Sequence, residues 1–94
     1  MNIQLQKEKP MQYNISDRLM KDQQLTASDK LVYMVIKHTV ENVSCSITSK
    51  LISEIAGLTE MTVRRSVKRL QDKQEILMYK NTSGNNCYDI ISKD

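Results

Sequence analysis

Glycine occurs only twice in these 94 residues, at positions 57 and 84, and proline once, at position 10. Positive φ and tight reversals are the business of glycine, so a chain this sparsely punctuated is expected to be largely helical, broken at a few places. Gly57 falls inside "ISEIAGLTEMTVRRSVKRL", residues 52–70. Before it, apolar and polar residues alternate over a short segment. After it, Val63, Val67 and Leu70 recur at helical spacing, while Arg64, Arg65, Lys68 and Arg69 take the positions between. Gly84 lies in "NTSGNN", between the β-prone runs "ILMYK" and "CYDII", which reads as a hairpin with a loop of intermediate length. Pro10 breaks a polar start, and residues 1–12 are expected to form a flexible arm.

The remaining elements follow from caps and periodicity. In "YNISDRLMKD", Ser16 caps a short helix containing Leu19 and Met20. "LTASDKLVYMVIKHTVEN" opens with Thr26 and Asp29 in capping-box spacing and has a stop at Asn42. Its Leu31, Val32, Met34, Val35, Ile36 and Val40 cover most of the circumference, so this helix is expected to be central and buried on more than one side. "SCSIT" is a candidate brief strand at Ile47. Thr48 or Ser49 then caps "KLISEIA", Gly57 ends it, Leu58 anchors the turn, and Thr59 caps "EMTVRRSVKRLQDK". With no phenylalanine or tryptophan, the core of one small domain falls to Leu, Ile, Val and the six methionines. Tyr13 and Tyr33 are expected to pack, and Tyr79 and Tyr88 to form a hairpin core.

The net charge of +3 is mild, but its placement is uneven. Between Arg64 and Lys73 the basic residues Arg64, Arg65, Lys68, Arg69 and Lys73 face only Asp72. A basic stripe on a near-neutral body is the footprint of a phosphate partner. No aromatic residue interleaves it, which favours double-stranded DNA over single strands that need stacking platforms.

Other classes find little support. No apolar run reaches the length of a membrane span and the start lacks an apolar signal core, so a cytoplasmic protein is expected. The sequons at Asn14, Asn42 and Asn81 are then chance matches. Cys45, Cys87 and His38 have no zinc spacing, and the cysteines read as small buried apolar residues; neither metal nor cofactor is expected. A single histidine, no glycine-rich phosphate loop and no recognisable carboxylate pair argue against an enzyme or a small-molecule site. Tyr33 and His38, five apart on the central helix, do not share a face well.

Ile52, Ser53, Gly57 and Val63 carry a further pattern: an apolar residue, a small one, glycine four later, and an apolar residue six after that. In this setting the chain resembles the winged helix-turn-helix family, with Ser53 where alanine is usual. "GLTEMTVRR" is similar to the turn and reading helix of many bacterial regulators and plasmid or phage replication proteins. "LTASDKLVYMVIKHTVENVSCSIT" is loosely similar to the first helix of short domains from Gram-positive replication initiators. The resemblance implies a mainly α fold with a small β-hairpin over residues 13–91. It puts the helix-turn-helix core at 49–68, a recognition helix at about 60–73, and the wing at 76–91.

It further implies sequence-specific binding of double-stranded DNA, in transcriptional regulation or replication initiation. Thr59, Glu60, Met61, Thr62, Arg64, Arg65, Lys68 and Arg69 would meet bases or phosphates. Arg64 or Arg65 suits a guanine edge, and Lys68 and Arg69 suit phosphate. Glu60 also fits the positive end of its helix, and Thr62 fits a local bond. Ser49 and Lys50 would clamp a phosphate, and Lys80, Asn81, Asn85 and Asn86 would form the wing, where asparagines equally serve turn formation. A homodimer through residues 1–12 or the first long helix is compatible with the sequence. The alternative is a winged helix that binds protein within a replication or regulatory assembly.

Overall fold

A computed structural model describes residues 13–91; the expected arm at 1–12 lies outside the described residues. Four helices precede a hairpin: α1 (Asp17–Met20), α2 (Ala27–Asn42), α3 (Ser49–Ala56), α4 (Glu60–Asp72), β1 (Ile76–Lys80) and β2 (Asn86–Ile90). The fold is mainly α with a C-terminal two-stranded antiparallel hairpin, a winged-helix-like arrangement.

Each helix starts on the hydroxyl that its sequence provides. The side chains of Ser16, Thr26, Thr48 and Thr59 accept from the backbone N–H three residues on, satisfying one of the free donors of each first turn. At α2 the box is complete, with the Thr26 N–H donating to Asp29 at 3.0 Å and the Asp29 N–H donating to Thr26 Oγ1 at 3.0 Å. Gly57 closes α3 at φ +71°, and the Leu58 N–H reaches back to the Ser53 carbonyl at 3.0 Å. At the end of α4 the left-handed residue is not glycine but Gln74, at φ 59°. The Gln74 and Glu75 amides donate to the Gln71 and Leu70 carbonyls there and turn the chain into β1.

The core lies between α2, α3, α4 and one face of the hairpin. Val32, Ile36, Ile52, Val63, Leu70, Ile76 and Tyr88 are all but inaccessible. Ser53, buried against this core, keeps its hydroxyl satisfied by donating to the Lys50 carbonyl at 2.6 Å. A small residue here lets α3 and α4 approach closely around the Gly57 turn. The central helix is less enclosed than its apolar circumference suggests. Val32, Tyr33, Val35 and Ile36 are buried, yet Leu31 is exposed and Met34 and Val40 only half-buried.

The hairpin pairs Ile76 with Ile90, Met78 with Tyr88 and Lys80 with Asn86. Ile76 and Tyr88 are buried, while Tyr79, expected in the hairpin core, is 41% exposed. Strand alternation explains this: Tyr79 lies opposite Cys87, on the face away from Tyr88. The expected strand at Ile47 is reduced to a single bridge between Ser46 and Cys87, beside a bond from the Tyr88 N–H to the Cys45 carbonyl at 2.8 Å. Cys87 is buried beneath this connector and Cys45 is half-buried; both are free thiols. The neighbouring Cys45 thiol and burial raise the pKa of Cys87.

Candidate nucleic-acid interface

The inward stripe of α4 is Val63, Ser66, Val67 and Leu70. That stripe fixes the outward residues as Glu60, Met61, Arg64, Arg65 and Lys68, all exposed. Arg64 makes an exposed pair with Glu60 one turn earlier at 3.4 Å, and Lys68 a longer one with Asp72 at 3.7 Å. Pairs of this kind are worth little and release their cations readily to a stronger anion. Arg65 is exposed and has no ion pair among the described residues.

Beside Arg64 an open cleft of about 500 Å³ is bounded by three separate elements. Ser49 and Lys50 come from the start of α3, Glu60 and Arg64 from α4, and Lys80, Gly84, Asn85 and Asn86 from the hairpin. A second groove of about 240 Å³ adjoins it, with Ser49, Arg64 and Asn86 common to both and Lys68 and Gln71 lining the second alone. Arg64 therefore borders both concavities, as Ser49 and Asn86 do. The helix start adds amides without intrahelical acceptors, and Lys50, Arg64 and Lys80 face Glu60 as the single carboxylate on the cleft wall.

The wing tip is built by its own polar groups. The Asn81 side-chain oxygen accepts from the Ser83 and Asn85 amides at 2.9 and 3.0 Å, and Gly84 takes φ +84°. Lys80 Nζ donates to Asn86 Oδ1 at 3.2 Å across the strand pair. Asn81 is thus committed to the turn, whereas Asn85 is exposed at its edge.

Not every residue expected to meet a ligand faces this surface. Thr59 caps α4, and its hydroxyl donates to that of Thr62 at 2.9 Å, keeping Thr62 in a local bond. Met61 is 59% exposed on the first turn. Arg69 turns to the other side of α4, where its Nε and Nη2 donate to the Asp29 carboxylate at 2.8 Å. Burial alone would raise the pKa of Asp29. The bonds from Arg69, with Ser66 and Thr26 adding to them, outweigh burial and hold the carboxyl below the usual carboxylate range. The same contact raises the Arg69 pKa.

Ser46, Ile47 and Thr48 also line the cleft. Thr48 is the α3 cap expected from the sequence, and the only sequence signal for Ser46 and Ile47 is their position just before it. Among the described residues no cluster of three metal-ligating side chains is present, and no helix is long and apolar enough to cross a membrane.

Neither a family model, nor a curated protein, nor a solved structure matches the chain. The order of α2, α3 and α4 followed by a hairpin is consistent with a winged helix-turn-helix.

Proposed function

We propose that this protein binds double-stranded DNA with sequence preference, presenting the first half of α4 to the major groove and the hairpin tip to the flanking backbone. The observation that carries this reading is the convergence of Lys50, Arg64 and Lys80, from three different elements, on one open cleft. Three cations around a concave surface that also holds a helix start form a setting for phosphate. Exposed Arg64 and Arg65 on an adjoining helix supply two-point donors suited to guanine edges. Lys68 extends the same face toward phosphate, and Ser49 and Asn85 add polar contacts. The role is regulation of transcription or initiation of replication, and a two-fold operator would accompany a homodimer.

Selection of bound duplexes from a random DNA pool tests this. A palindromic consensus is expected of a dimeric regulator and direct repeats of an origin binder. Absence of any enrichment would favour the same surface serving a protein partner in such an assembly.

A further inference from the structure

The basic stripe has a second half that faces away from the cleft, and its partners form a pattern. Arg18 donates to both oxygens of Glu75 at 2.9 and 3.0 Å. Lys73 lies 3.3 Å from Asp22 and donates to Gln24 at 2.7 Å. Arg69 forks onto Asp29. In sequence these links run antiparallel, 18 with 75, 22 with 73 and 29 with 69. They form a polar seam between the chain from α1 to the first turn of α2 and the end of α4 with its exit.

Asp29 differs from a surface partner of this seam in three ways. It is wholly buried, it closes the capping box that starts α2, and it receives the guanidinium at two points. The Ser66 hydroxyl lies buried beside it, and Arg69 is the α4 side chain that the carboxylate holds at two points across the interface.

Apolar contacts resist separation of two helices far better than they resist rotation, because they carry no direction. A two-point charged bond is directional. Arg69 lies one helical turn beyond Arg65, so whatever fixes Arg69 about the axis of α4 fixes Arg65 as well, and Arg64 with it. A turn of about 20° moves a side chain at the helix surface by about 2 Å, enough to lose a hydrogen bond. We infer that Asp29 is a positioning residue for DNA recognition: through Arg69 it sets the rotation of α4, and thereby the aim of Arg64 and Arg65. This rests on the DNA-binding reading for its readout, and on the seam for its mechanism.

Asp29→Asn separates positioning from simple electrostatics by the sign of its effect. It raises the net charge of +3 by one and releases Arg69, so an unpositioned basic face would hold duplex DNA more tightly. Positioning requires the opposite, about a tenfold weaker grip on a duplex recovered from the random pool, the value of one misaligned base contact. Binding is measured where melting curves show the variant native. Arg69→Lys is the companion, since it keeps the charge but not the fork. A severalfold loss is expected there too, with residual dipolar couplings of the α4 amides changed in both free variants. Tighter or unchanged binding by Asp29→Asn, or α4 couplings identical to those of the parent, would overturn the inference. Should the parent itself retain no duplex, the DNA reading fails. The couplings then decide alone whether Asp29 orients α4.

Discussion

The two halves of α4 are alike in composition and opposite in use. Arg64, Arg65 and Lys68 on the front of the helix stand in solvent with weak or no ion pairs, while Arg69 on its back and Lys73 at its exit are bound to Asp29 and Asp22. A run of basic residues is therefore not one feature. Which of its members can meet a phosphate depends on which carboxylates the rest of the fold brings beside them. Here the acidic partners of the back come from the N-terminal segment, and they leave the front of the helix with only the weak exposed pairs to Glu60 and Asp72.

Substitutions that fall on the two halves should separate accordingly. The largest effect belongs to the back. Asp29→Ala removes a buried carboxylate, its two-point bond and half of the α2 capping box. It should cost about 2–3 kcal/mol in denaturant unfolding, less than a fully enclosed pair because the Arg69 side chain is 42% exposed. A loss under ~0.5 kcal/mol would make this pair no different from those on the front.

Acid gives a smaller effect of known sign. The folded pKa of Asp29 lies below its ordinary value of 3.8, so its contribution to stability is complete above that value and lost as pH falls through the depressed folded pKa. Asp22, whose carboxyl is lowered first by the Gln24 backbone N–H and then by Lys73, adds to the same acid limb. Stability should decline below about pH 4. In Asp29→Asn the decline should be shallower, as read from chemical unfolding at a series of pH values. An unchanged acid limb would detach Asp29 from it.

Much of the frame was legible in the residues because it depends on local chemistry. Ser16, Thr26, Thr48, Thr59 and Gly57 act within three or four residues of their own position, and they mark the helix ends observed. The hairpin follows from two β-prone runs around "NTSGNN". Arg69 looked like its neighbours because Asp29 lies 40 residues away, and nothing in the local pattern announces that pairing. Glu75, 57 residues from Arg18, is a similar case. The strand expected at Ile47 shrank to one bridge at Ser46, and Tyr79 turned outward, because register across strands is decided by tertiary packing rather than propensity.

The front of α4 supplies the most direct measurement. Arg64→Ala combined with Arg65→Ala removes two exposed side chains and should leave unfolding stability within ~0.5 kcal/mol of the parent. Duplex affinity, measured by fluorescence anisotropy at fixed salt, should fall by about tenfold or more for each lost contact, with a shallower dependence on salt. Unchanged affinity in a fully folded double variant would contradict DNA recognition by this helix.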